Sequence, residues 1–311
     1  MAVLIAADFS ADEWAAWGPA LAAALPDEQL LREATESQRT DIDVALVANP
    51  PIGALQGLPR LRFIQSLWAG VDKLLLDASV PAGVPLARMV DPLMNTTMAQ
   101  TALWAVLGLH RGFFRYAAQQ RAVQWLQHAP VRADAIEVAV LGLGQMGRTA
   151  AQALLQHGYR VSGWSANPCT LQGVSTSSGD AALPAVLASA HIVVNLLPLT
   201  PATRRLFNAQ AFAQMRPGAS LVNLARGAHV VDADLIKALA RGHLQHAVLD
   251  VFTTEPLPAD HPYWRHPQVT VLPHVAAQTD PRSAALIAAA NVRAFRAGRT
   301  PSSLVDRTRG Y

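Results

Sequence analysis

The sequence predicts an α/β protein built from two doubly wound parallel sheets. Three observations carry this reading. Short apolar runs alternate with amphipathic stretches along nearly the whole chain, the rhythm of strands joined by helical crossovers. The 311 residues suffice for two domains of ordinary size. One apolar run leads directly into a Gly-x-Gly-x-x-Gly loop that opens a helical pattern.

The first block begins with the apolar run 2–7, followed by an amphipathic helix over 12–25. Further strands are expected at 44–48, 61–67 and 85–90, separated by turn residues such as Asn49-Pro50-Pro51 and Gly83. Residues 94–118 read as one long helix, with Met98, Leu103, Val106, Leu107 and Phe114 near helical spacing. A loop over 126–135 leads to the second block. Its six strands are expected at 137–141, 160–164, 192–197, 220–224, 247–251 and 269–272. Helices lie between them, including 146–156 closed by Gly158 and 235–241 closed by Gly242, with Asp232 as N-cap of the latter. A last helix, 283–296, is expected to return to the first block and make that domain discontinuous.

Composition narrows the function. Hydrophobic residues make up 51% and charged residues 15%, which excludes a disordered chain. A single cysteine, Cys169, excludes a disulfide framework and any multi-cysteine metal site, and no metal is expected elsewhere. The N-terminus has no basic flank and reaches Asp8 early, so no signal peptide is expected. With no apolar run of about 18 residues, no membrane span is expected and the location reads as cytoplasmic. The net charge is +3, but the 25 basic residues are scattered rather than gathered into a patch. That argues against nucleic-acid binding and suits a protein that handles small anions.

Gly142, Gly144 and Gly147 follow the apolar run 138–141. The first glycine permits the tight turn, the second a close approach of a pyrophosphate, the third the packing of helix on strand. Gln145 and Met146 open the helix whose N-terminus faces the phosphates. Some twenty residues on, where a carboxylate would hold the ribose diol of NAD, the chain reads Ser165-Ala166-Asn167. The lack of an acidic group favours NADP, with NAD possible. Leu197, Pro198, Thr203, Ala225 and Asp250 complete the candidate cofactor positions. Arg226 and His274 each follow a predicted strand, and Glu255 lies a few residues past another. A fixed cation, a proton donor and a carboxylate to tune it are the groups that carbonyl reduction needs.

These segments resemble the D-isomer-specific 2-hydroxyacid dehydrogenases, essentially end to end. Within that family the chain is most similar to the bacterial glyoxylate/hydroxypyruvate reductase A type. The strings at 195–201 (NLLPLTP), 223–231 (NLARGAHVV), 261–277 (HPYWRHPQVTVLPHVAA) and 305–311 (VDRTRGY) carry that likeness. The resemblance implies a Rossmann cofactor domain over 102–279 and a flavodoxin-like substrate domain over 1–101 and 280–311. It implies that Arg226, Glu255 and His274 are catalytic. It places the substrate carboxylate on the backbone of Trp68, Ala69, Gly70 and Val71, with Arg226 and His274 also touching substrate. The expected activity is NADPH-linked reduction of a small 2-oxoacid, glyoxylate or hydroxypyruvate, by a homodimer whose interface includes Trp125. NADP-using relatives often carry an arginine where Ala166 stands, which predicts only a modest preference. The other readings are a reductase of larger 2-oxoacids and a non-enzymatic, NAD(H)-sensing corepressor-like protein.

Overall fold

The computed structural model describes residues 1–310; Tyr311, the end of the string at 305–311, lies outside the described residues. In chain order the elements are β1 (Ala2–Ala7), α1 (Ala11–Ala24), β2 (Gln29–Leu31), α2 (Glu36–Arg39), β3 (Ile42–Ala48), β4 (Phe63–Ser66), α3 (Asp72–Leu76), β5 (Leu86–Ala87), α4 (Pro92–His110) and α5 (Phe113–Arg121). They continue with β6 (Glu137–Leu141), α6 (Gln145–Gln156), β7 (Arg160–Ser165), β8 (Ser175–Ser178), α7 (Leu183–Ser189), β9 (Ile192–Asn195), α8 (Ala209–Gln214) and β10 (Ala219–Asn223). Then come α9 (Asp232–Ala240), β11 (Leu244–Leu249), β12 (Val269–Val271) and α10 (Pro281–Arg296). Among the described residues, no helix is long and apolar enough to cross a membrane.

The chain divides into two compact units, Met1–Leu93 with the chain from Thr279 on, and Met94–Gln278. The first break falls in the opening turn of α4. In the first unit the parallel strands run in the order β2-β1-β3-β4-β5. β1, β3 and β4 are buried along nearly their whole length; they are mainly apolar, with Asp43 of β3 and Gln65 and Ser66 of β4 buried among the apolar residues. Helix α10 returns to this unit. Its Asn291 donates to Gln65 of β4 (2.7 Å), and its Arg296 pairs with Glu28 (2.8 Å) and with Asp43 of β3.

In the second unit seven parallel strands run β12-β11-β10-β9-β6-β7-β8. The order reverses between β6 and β9, so a crevice opens there at the carboxyl ends of the strands, the usual ligand site of such sheets.

Four details correct the sequence reading. β2 and β8 were not expected. β8 reads Ser-Thr-Ser-Ser and is an edge strand paired with β7, so no apolar period marks it. The helix expected over 94–118 is two helices, because Gly112 stands between them with φ +69°, a left-handed conformation that ends α4. Asp232 is the first residue of α9 rather than its N-cap, which is Val231; its carboxylate instead accepts the Tyr263 hydroxyl (2.9 Å).

Candidate active site

Two of the three glycines at the junction of β6 and α6 have a steric cause. Gly142 has φ +97°, and a Cβ there would lie 2.6 Å from the Leu196 carbonyl oxygen. A Cβ on Gly147 would lie 1.8 Å from the Gly142 carbonyl oxygen, so only glycine lets α6 close onto β6. A Cβ on Gly144, by contrast, would meet nothing within 4 Å. Open space at that point, at the N-terminus of α6, is what a phosphate group requires. Gln145 and Met146 form the first turn of α6. Across the switch point, Leu197 and Pro198 follow β9, and the Thr203 hydroxyl closes that turn by donating to the Pro198 carbonyl (2.7 Å).

β7 ends at Ser165. Its hydroxyl donates to the Asn167 carbonyl (2.6 Å) and lies 3.3 Å from Cys169 Sγ, while Ala166 and Asn167 are exposed. The serine hydroxyl thus ties its own loop, and no carboxylate stands between residues 163 and 168.

The ends of β10, β11 and β12 bring the remaining groups together. Arg226 follows β10, half-buried, with Nη1 donating to the Ala225 carbonyl (2.7 Å). Behind it, Gly227 faces the loop after β11: a Cβ there would lie 1.9 Å from the Phe252 carbonyl carbon. That loop carries Glu255. One oxygen of Glu255 accepts the Phe252 N–H (2.8 Å) and the other accepts His274 Nδ1–H (2.8 Å). The His274 side chain is 51% exposed and that of Glu255 29%, so the pair is ordered yet open to a ligand.

His274 itself adopts φ +56°, and Asp250 holds it there. The Asp250 carbonyl accepts the His274 N–H (2.9 Å), and its carboxylate accepts the N–H groups of Val275 (2.7 Å) and Ala276 (2.9 Å). Burial pushes the Asp250 carboxyl above its ordinary value, against the pull of these two N–H groups. Asp250, read from the sequence as a cofactor position, thus braces the turn that carries the imidazole.

In the first unit, Trp68–Val71 follow β4. The Trp68 carbonyl accepts the Ser66 hydroxyl (3.0 Å) and the Met89 N–H (3.0 Å), and the indole packs edge-on against Trp17.

His243 and His246, three residues apart in sequence, are held separately. His243 Nε2 lies 2.9 Å from the Phe212 carbonyl. His246 stacks on Phe114 and bonds Thr270, with its imidazole pushed down to about 4 by burial. What sequence reasoning missed is a buried set, Asn195, Asn223 and His229, lying between the Pro198 turn and Arg226. Both strands end in Val-Asn, at 194–195 and 222–223, but that the two asparagines meet is set by the pairing of β9 with β10.

Residues 103–276 match the family model described as D-isomer specific 2-hydroxyacid dehydrogenase, NAD binding domain. The chain belongs to the D-isomer specific 2-hydroxyacid dehydrogenase family. It is therefore an oxidoreductase, and the glycine loop, Arg226, Glu255 and His274 all lie within the matched stretch. The chain is 42% identical over 308 residues to glyoxylate/hydroxypyruvate reductase A of Serratia proteamaculans, covering 97% of each. Among solved structures it is similar to a D-isomer specific 2-hydroxyacid dehydrogenase from Xanthobacter autotrophicus in complex with NADPH and MES. That likeness has a TM-score of 0.93 and 40% identity, covering 100% of this chain and 99% of the other. It is also similar to the NADPH-dependent glyoxylate/hydroxypyruvate reductase of Sinorhizobium meliloti in complex with NADP and sulfate, with a TM-score of 0.92, 32% identity and 99% of each chain covered.

Proposed function

We propose that this enzyme uses NADPH to reduce small 2-oxoacids, glyoxylate to glycolate and hydroxypyruvate to D-glycerate. The observation that carries the reading is the 2.8 Å Glu255–His274 pair, on a loop pressed against the turn of Arg226. Gly142, Gly144, Gly147 and the first turn of α6 fit a dinucleotide pyrophosphate, and the non-acidic end of β7 fits a 2′-phosphate better than a free diol. The relatives named above as NADPH-dependent, or solved with NADPH or NADP, support the same choice.

NADPH, when bound, supplies the hydride. Arg226 holds the substrate carboxylate and polarises the carbonyl, stabilising negative charge as it develops on oxygen. His274 protonates that oxygen from Nε2, since Nδ1 is held by Glu255. Glu255 fixes the ring and balances the charge of the imidazolium. In the first unit, the backbone of Ala69, Gly70 and Val71 is the part of that loop left to offer N–H groups to a carboxylate, the Trp68 N–H being taken by the Ser66 hydroxyl (3.1 Å).

Initial rates with NADPH and NADH against glyoxylate, hydroxypyruvate, pyruvate and phenylpyruvate test this reading. The two small hydroxylated or unsubstituted acids are expected to lead, and a lead for phenylpyruvate overturns the substrate assignment. Glu255→Gln keeps the shape and one hydrogen bond but replaces the carboxylate that holds the His274 ring. It is expected to lower kcat for glyoxylate by roughly tenfold or more, with NADPH binding unchanged. An unchanged kcat would separate Glu255 from the proton transfer.

Cofactor preference is expected to be modest, on the order of tenfold for NADPH or ~1.4 kcal/mol. The Ser165 hydroxyl is engaged with Asn167, and exposed Ala166 offers no bidentate clamp. Ser165→Asp is expected to swing the ratio of kcat/KM values towards NADH, and Ala166→Arg towards NADPH. A ratio that neither change moves would place recognition of the adenosine end elsewhere.

The exposed apolar stretch Phe113, Val123, Trp125 and Leu126, with Trp125 95% exposed, supports a homodimer through α5 and the segment after it. Sedimentation equilibrium is expected to give twice the monomer mass, and Trp125→Ser to shift the protein towards monomer.

A further inference from the structure

Strands β9 and β10 pair in register so that Asn195 stands opposite Asn223, and both residues are fully buried. Asn195 Nδ2 donates to Asn223 Oδ1 (2.9 Å) and lies 2.9 Å from His229 Nδ1, also fully buried. Asn195 Oδ1 accepts the Leu197 N–H (3.3 Å), which fixes the orientation of the amide and makes Nδ2 the donor. His229 Nδ1 is then an acceptor, so Nε2 carries the proton and points it at the Pro198 carbonyl (3.3 Å). At the other end, Asn223 Nδ2 donates to the Arg226 carbonyl (3.0 Å) and Asn223 Oδ1 accepts the Ala225 N–H (3.3 Å). The hydrogen bonds therefore run from the Leu197–Pro198 turn to the backbone of Arg226 through three side chains shielded from water.

We propose that Asn195, Asn223 and His229 are positioning residues that lock the Leu197–Pro198 turn and the Arg226 turn into one rigid piece. Arg226 and the cofactor side of the crevice then keep a fixed spacing. The inference rests on the assignment of Arg226 as a catalytic group. A guanidinium displaced by about an ångström loses up to roughly a hundredfold in rate while its charge and fold persist. Polar groups buried in this way have no water to replace a lost partner, so the arrangement is fully formed or broken.

The test is a double-mutant cycle read as kcat/KM with glyoxylate, in which Asn223→Ala and His229→Gln are each made in the wild type and in Arg226→Ala. In the wild-type background each is expected to cost about tenfold to a hundredfold, mostly in kcat. In the Arg226→Ala background each is expected to cost less than about twofold, because the group they position is gone. Thermal melting is followed in parallel, and His229→Gln, which retains a polar side chain, stands in should Asn223→Ala fail to fold. An equal fold-loss in both backgrounds overturns the inference while leaving Arg226 catalytic. An Arg226→Ala enzyme retaining more than half its activity overturns the assignment of Arg226, and the inference with it.

Discussion

Arg226→Ala is expected to lower kcat/KM a few hundredfold or more, with the fold and NADPH binding intact. The guanidinium is asked to stabilise charge that grows on the substrate oxygen during hydride transfer. Removing one such group costs roughly 3–4 kcal/mol of transition-state stabilisation, which is the expected factor. The fold should survive because the backbone at this position is held independently of the side chain. The Arg226 carbonyl accepts from Asn223 and from the His229 N–H (3.2 Å), and the neighbouring Gly227 packs on Phe252 whatever residue precedes it. The measurement is kcat/KM for glyoxylate alongside thermal melting and NADPH titration. A variant with more than half the wild-type kcat/KM and an unchanged melting temperature would remove Arg226 from the chemistry.

How much of this site was legible follows from where each cause lies along the chain. β1 and β6 show their limits in sequence because both are short apolar runs buried nearly throughout. The glycine loop was legible for the same reason: the turn at Gly142 and the close contact of Gly147 with Gly142 are local, five residues apart at most. Arg226, Glu255 and His274 were singled out because strand ends are where parallel sheets place ligands, and because the surrounding strings resemble a family. The break between α4 and α5 was not read, since the apolar spacing runs on from Val106 to Phe114 while Gly112 turns the backbone. The Asn195–Asn223 pair was not read either. Its two members are 28 residues apart and meet only through the register of β9 on β10, which no single-strand pattern encodes. The same holds for Asp250: its part in bracing His274 depends on the turn 274–276 folding back onto the end of β11.

His274→Gln is expected to lower kcat by at least a hundredfold while leaving NADPH affinity within about twofold of the wild type. General acid catalysis by a positioned side chain contributes typically ~10²–10⁴-fold, and glutamine offers an N–H but no transferable proton at neutral pH. The turn around residue 274 is fixed from outside the side chain, by the Asp250 carbonyl and by the Asp250 carboxylate on Val275 and Ala276. Glutamine therefore inherits the φ +56° conformation without the backbone having to be rebuilt. It also remains within reach of Glu255, so the loop from Phe252 keeps its anchor through the Phe252 N–H. In the proposed reading NADPH affinity rests instead on the Gly142–Gly147 loop and the N-terminus of α6, which His274 does not build. The two readouts thus separate a proton donor from a structural residue. Fluorescence titration with NADPH and steady-state turnover on the same preparation decide the matter. Loss of turnover with binding retained supports proton delivery by His274. A joint collapse of turnover and NADPH binding would show that the imidazole holds the site together rather than delivering a proton. A Glu255→Gln/His274→Gln double variant no slower than His274→Gln alone would then confirm that Glu255 acts through the imidazole, since a carboxylate with no ring to partner has nothing left to contribute.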